Sequence, residues 1–350
     1  MKFGLFGGAT SRGSAAAIDS GQDYRQYTDY ICEAEALGFH SVFMVEHHFT
    51  GFNQVSASLT FLAYLAARTS RMRLGTAVTV LPWHNPALLA EQAATVDMLS
   101  NGRLDFGIGR GYRYSEFTGF CIPMEEAEER YAEALEVIRK AWTSPGRFSH
   151  HGKHWNYENV VIEPAPTQNP HPPLWVGAGN LDVIRSVARD GIKLLLDQLS
   201  VPEISGQRLA AYRAAVEAQG RVFDPMSVGL TRGLHMAMNA AEREYQHLLR
   251  AQFLENVRKL TVNPQAQAST LAVPTSAADF REATEKTTLI GTPEEIIARL
   301  KVIQAQGIEY VLLMDVGGSV AALRAFAREV MPEFAEPAHL AGTPVAAAAA

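Results

Sequence analysis

The order of residues in this 350-residue chain predicts an α/β fold, a (β/α)8 TIM barrel. Three observations predict it. Short β-rich runs alternate with helical runs almost to the end. Eight strand-plus-helix units with right-handed crossovers close into a barrel more naturally than they spread into an open sheet of that width. Residue types that carry chemistry gather just after the apolar runs, at the carboxyl ends of strands where such a barrel builds its site.

Each element has a local reason. Residues 2–6 read as the first strand. Residues 23–37 are helical, with Tyr27, Ile31, Ala34 and Leu37 at helical spacing and a stop at Gly38. The second strand is 40–45 and the second helix 56–69. The third strand is 73–80, followed by a helix at 86–99 that has Pro86 at its start and Asn101-Gly102 after its end. The fourth strand, 103–108, leads to a helix at 125–142 with Tyr131, Leu135, Ile138 and Trp142 on one face. An insertion rich in Pro, His and Asn follows this fourth helix at 143–173, with one hairpin. Strands at 174–177, 192–196, 227–237 and 310–314 complete the eight, with helices at 181–189, 202–219, 240–259 and 319–330. One extra helix precedes the last strand, marked by the capping box Thr292, Pro293, Glu295. The polar, Ala/Thr/Ser-rich segment 261–288 reads as a lid before the last strand. Residues 1–334 make one domain, and 335–350 a flexible Ala-rich tail.

Composition narrows the function. Thirty-one basic against 37 acidic residues leave a formal charge of −6, the wrong sign for a nucleic-acid partner. Cys32 and Cys121 are far apart and form no CxxC, so no disulfide framework or zinc ribbon is expected, and a reducing cytoplasm fits. The charge-free stretch 74–90 is too short and too polar to span a bilayer, and residues 1–8 lack the pattern of a secretion signal.

The strand ends hold the candidate site. Gly177, Ala178, Gly179 and Asn180 follow the fifth strand. The glycines leave bare N–H groups at a helix start, and Asn180 can cap that helix, which makes a phosphate cradle or simply a tight turn. Arg110, set between Gly109 and Gly111, favours phosphate, because a guanidinium can fork onto it where the backbone approaches closely. The pattern is neither a Walker loop nor GxGxxG; one phosphate, as in a flavin mononucleotide, is enough. Glu46-His47-His48 end the second strand. Adjacent side chains there face opposite ways, so a metal site is not expected, and one imidazole titrating near neutral pH, oriented by Glu46, is a general acid or base; two histidines satisfied by backbone is the alternative. His150, His151 and His154 read as a solvated loop. Phe49, Phe52, Trp83, Tyr112, Tyr114 and Phe117 either line the mouth or pack its loops together.

Seven stretches make the chain resemble the bacterial luciferase-like flavin monooxygenases: MKFGLF, SVFMVEHHFT, RMRLGTAVTVLPWHNP, LSNGRLDFGIGRGY, EPAPTQNPHPPLWVGAGN, LIGTPEEIIARL and FAREVMPEF. They run from residue 1 to about 334. The resemblance implies a barrel that binds reduced FMN supplied by a separate flavin reductase, adds O2 at flavin C4a, and uses the resulting peroxide to oxygenate an apolar organic substrate such as an aldehyde or ketone. His47 is similar to the catalytic histidine of the luciferase α chain, and Glu46 to its preceding acid. Ala77 and Val78 match the segment that supports the flavin ring, often through a non-prolyl cis peptide, while Arg110 and Asn180 match phosphate-binding positions. Gly109 stands where the α chain has a reactive cysteine, Gly179-Asn180 where it has Glu-Ser, and Gln198 where it has a tryptophan, so light emission is not implied. Luciferase chains pair through the helices matching 56–69 and 86–99, which here are rich in alanine, so a homodimer is expected. A deazaflavin-dependent oxidoreductase and a non-catalytic flavin-binding protein are the alternatives.

Overall fold

The computed structural model describes residues 1–9, 23–51, 54–261, 277–315 and 319–335. The chain runs β1 (Lys2–Gly7), α1 (Tyr24–Ala36), β2 (Ser41–Met44), α2 (Ser58–Arg68), β3 (Arg73–Thr76), β4 (Thr79–Val80), α3 (Pro86–Leu99) and β5 (Leu104–Gly109). A short α4 (Tyr114–Gly119), α5 (Ala127–Thr143) and the hairpin β6 (Phe148–His151) and β7 (Asn156–Val160) come next. Then follow β8 (Leu174–Gly177), α6 (Leu181–Arg189), β9 (Lys193–Leu196), α7 (Pro202–Glu217), β10 (Val228–Met236) and α8 (Ala240–Thr261). The described chain ends with α9 (Ala277–Thr287), β11 (Leu289–Gly291), α10 (Pro293–Ala305), β12 (Tyr310–Asp315) and α11 (Val320–Glu329).

Parallel pairing runs β1-β2-β3-β5-β8-β9-β10-β12 and returns to β1, so eight strands close the expected barrel. The apolar runs are near-continuous because both faces of each strand are covered, as in Leu5 opposite Val42 and Leu313. Helices start where short polar side chains take up free N–H groups: Asp23 for α1, Asn85 for α3, Asn180 for α6, and the Thr292–Glu295 capping box for α10.

The amino-terminal end of the barrel is plugged. Phe43, Trp175, Leu195, Tyr310 and Leu312 fill its interior. Beside them Asp105 accepts from Arg73 at 2.5 and 2.9 Å and from the Trp175 indole at 3.0 Å, and Tyr310 hydrogen-bonds Ser41. The opposite, carboxyl-terminal end is left free for chemistry.

Three expectations change. The third strand is not continuous: it breaks at Ala77-Val78, joined by a cis peptide bond, and resumes as β4 against β5. The segment 261–288 ends in helix α9 packed on α8, where Phe280 is buried with Ala251 and Leu254, because one large apolar residue suffices to dock an amphipathic turn. The remainder of that lid, 262–276, and the tail from 336 onward lie outside the described residues. The histidines 150 and 154 are not solvated: the β6–β7 hairpin lies on the acidic face of α5, where they meet Glu133, Glu126 and Glu129, and only His151 is exposed. No cluster able to hold a metal and no helix long and apolar enough to cross a membrane occurs among the described residues.

Candidate active site

The carboxyl ends of the strands surround an open cleft. Its walls come from Phe6 at the end of β1, Glu46 and His47 after β2, Ala77 and Val78 at the strand break, Tyr112 and Arg113 after β5, and Gln198 after β9. Helix α8 closes one side with Phe253 and Val257.

His47 and His48 point apart, as alternation along an extended segment requires. His47 faces the cleft, where its side chain keeps 15% exposure, and its Nδ1 lies 3.1 Å from Glu116 on α4. His48 turns to the aromatic cluster of Phe49, Trp83 and Phe120 and bonds Glu46. The carboxylate of Glu46 is therefore engaged by His48 and also by Ser58, Trp83 and His84, the last at 2.8 Å, and not by a hydrogen bond to His47. Burial pushes the Glu46 carboxyl up, yet the hydrogen bonds from His48 and His84 overcome it and hold the group at about 2. The orienting acid expected at Glu46 is in fact Glu116, which reaches the site from α4.

The expected titration near neutrality does not hold either. Burial and then the positive charge of Arg113 lower His47 to about 4, against a smaller opposing pull from Glu116. At neutral pH the imidazole is uncharged. Its Nδ1 proton goes to the Glu116 carboxylate, which also accepts the His48 backbone N–H, and its Nε2 is left as an acceptor.

A second group of residues lies on the outer rim. Arg110 is 54% exposed on its side chain and donates to Glu128. Gly177, Gly179 and Asn180 are exposed at the start of α6, where Asn180 accepts from the N–H groups of Asp182 and Val183. Arg208, on α7, reaches this loop: its Nε donates to the Gly179 carbonyl and its Nη1 meets Asp197 and Ser200 at 2.5 Å.

Residues 1–310 match the family described as luciferase-like monooxygenase. The chain belongs to that family. The oxygenase component of flavin-dependent trigonelline monooxygenase from Acinetobacter baylyi is 28% identical to this luciferase-like chain, over 91% of this chain and 93% of the relative. An F420-dependent glucose-6-phosphate dehydrogenase from Kineococcus radiotolerans is 32% identical over 55% of this chain and 58% of its own. Among solved structures, the monooxygenase RslO1 from Streptomyces bottropensis superposes with a TM-score of 0.81 at 26% identity, covering 96% of this chain and all of that one.

In this luciferase-like chain the sequence-derived candidates fall into two places. Glu46, His47, Ala77, Val78, Tyr112 and Gln198 line the cleft together. Gly109 sits behind the strand break, where a Cβ would overlap Val78, so glycine is required for the two strands to approach. Arg110, Gly177, Ala178, Gly179 and Asn180 belong to the rim and not to the cleft wall. Glu116, Arg113 and Arg208 were not foreseen. Arg208 lies in a helix whose sequence reads as a solvated face, whereas Glu116 and Arg113 flank the mouth aromatics Tyr114 and Phe117, a neighbourhood that was the available signal. Of the expected mouth aromatics, Trp83 and Phe117 pack loop against loop at 5.2 Å; Phe52 lies outside the described residues.

Proposed function

We propose that the chain is the oxygenase component of a two-component flavin-dependent monooxygenase that takes reduced FMN from a separate reductase. The observation that carries this reading is the uncharged His47, fixed by Glu116 and facing the same cleft as Ala77-Val78. The residues present fit FMN. Gly177 opens onto free space at the start of α6, and Gly179 is crossed by Arg208 at a distance a Cβ would close. Arg110 and Arg208, now paired with Glu128 and Asp197, are the cations that would hold one phosphate, with the N-terminus of α6 behind them.

Bound reduced FMN would supply the two electrons that let dioxygen deliver one atom to the substrate and leave the other as water. Ala77 and Val78 would support the ring from the strand break. His47 Nε2 would accept or return the proton that this exchange moves, with Glu116 stabilising the imidazolium through Nδ1. Phe6, Val45, Val80 and Phe253 give the cleft beside His47 an apolar wall.

The F420-dependent relative makes hydride transfer the competing chemistry. The rim offers Arg110 and Arg208 and no lysine cluster for a polyanionic tail among the described residues, which favours the single phosphate of FMN. Titrating the protein with FMN and with F420 by fluorescence quenching, then following oxygen uptake with chemically reduced FMN across a substrate panel, separates the two. Preference for F420 without oxygen uptake would overturn the monooxygenase reading. The same reading makes the protein a homodimer joined through α2 and α3.

A further inference from the structure

Several arginines of the interior spend most of their donors on neighbouring elements. Arg103 donates to Ser100, Thr69, Met72 and Ala66; Arg73 donates to Asp105, Leu104 and Gln168; Arg232 donates to Asp197, Thr231, Ser200 and Ser205. Each is a tie between elements. Arg113 is 3% exposed on its side chain, yet its guanidinium makes a single hydrogen bond, 3.3 Å from Nη1 to Gln54. Its Nε is buried without a partner. The nearest carboxylate, Glu116, stands 3.9 Å away, beyond hydrogen-bond reach, and is already occupied by His47 and the His48 N–H.

A desolvated guanidinium with donors to spare is costly unless something fills them. Arg113 lines the cleft beside His47, so the missing acceptors belong to whatever enters that cleft. We propose that Arg113 anchors a carboxylate on the substrate, which makes organic acids, rather than neutral aldehydes or ketones, the substrate class. A carboxylate is flat, takes two parallel N–H donors from a guanidinium, and cancels the charge that Glu116 only partly balances. The rest of the molecule would then lie along the apolar wall of Phe6, Val45, Val80 and Phe253, with His47 one side chain away from the anchored end. This inference rests on the cleft being the substrate site of the reading above.

The test compares acids with their own amides. Hexanoate, benzoate and phenylacetate are titrated against hexanamide, benzamide and phenylacetamide. Binding is followed by perturbation of the FMN spectrum in the holoprotein and by thermal shift in the flavin-free protein. At least one acid is expected to bind tenfold or more tightly than its amide, with that preference erased in Arg113→Met, retained in part in Arg113→Lys, and FMN affinity changed less than threefold in both. If no acid outbinds its amide, if the preference survives in Arg113→Met, or if that variant loses FMN instead, the proposal falls. Failure of the wild-type protein to bind FMN would sink the monooxygenase reading and leave the acid-amide comparison in the flavin-free protein still decisive.

Discussion

Glu116 Oε1 lies 3.1 Å from His47 Nδ1 and 2.9 Å from the His48 backbone nitrogen, so one carboxylate on α4 fixes both the ring and the loop after β2. His47→Ala is expected to cut turnover ~10²–10⁴-fold, the usual contribution of a general acid or base, with FMN affinity nearly unchanged. Glu116→Gln should lower turnover in the same direction and less, because the ring stays in place but its imidazolium is no longer stabilised. Single-turnover oxidation of a bound substrate reads both. A His48→Ala variant that lost turnover while His47→Ala kept it would reverse the assignment.

The lowered His47 has a signature in stability against pH. Its folded value, about 4, lies below the ordinary 6.5, so between these limits the unfolded chain binds the extra proton. The contribution of neutral His47 is complete above pH 6.5 and is lost as pH falls toward 4, by roughly 3 kcal/mol. Glu46, held at about 2, adds a loss at lower pH, from 4.5 downward. Urea midpoints measured from pH 7 to 4 should therefore fall in the wild type, and His47→Gln should flatten the upper part of that fall. Parallel curves would contradict it.

Arg110→Ala and Arg208→Ala should each weaken FMN by about 1.5–3 kcal/mol, the worth of a hydrogen bond to a charged group, while riboflavin, which lacks the phosphate, binds as before. Equal losses for the two flavins would remove both residues from the phosphate site.

At the barrel floor, Asp105→Ala strands Arg73 and the Trp175 indole together. The expected cost is about 3 kcal/mol, the low end for breaking a buried pair, since the Arg73 side chain is 25% exposed. Calorimetry would show a drop of several degrees, with the flavin affinity of the folded protein retained.

Of the alanines of α2 and α3, Ala66, Ala90, Ala93 and Ala94 are buried within the chain, while Ala67 is exposed. The same helices also expose large apolar side chains. Leu88 and Leu99, 53% and 60% exposed, share one face of α3, and Tyr64 on α2 is also exposed. Leu88→Lys combined with Leu99→Lys should convert the expected dimer into a folded monomer in sedimentation at micromolar concentration. A monomeric wild type would refute the assembly.

Much of this molecule is legible from local sequence, because local rules wrote it. Asn180 and Thr292 announce their helices through the N–H groups they take, and the barrel strands announce themselves by apolar runs. What crosses between loops is not legible. His47 and Glu116 are 69 positions apart, and nothing near His47 says that its neighbour Glu46 is committed to His48, His84, Trp83 and Ser58 instead. The break at Ala77-Val78 is equally hidden by residues that read as uninterrupted strand; only the resemblance pointed to it. Charge is legible as composition, but the lowering of His47 comes first from its burial and then from Arg113, brought in by the next loop but one.

The filled floor of the barrel also governs traffic. Among the described residues, Phe43, Trp175, Leu195, Tyr310 and Leu312 fill the barrel below the cleft, which makes it a cul-de-sac that opens toward the carboxyl ends of the strands. In a dead-end chamber, arrivals and departures are queued: whatever sits deepest must come first and leave last. A second molecule in the doorway becomes a gatekeeper for the first, which slows the escape of the inner occupant without touching its contacts.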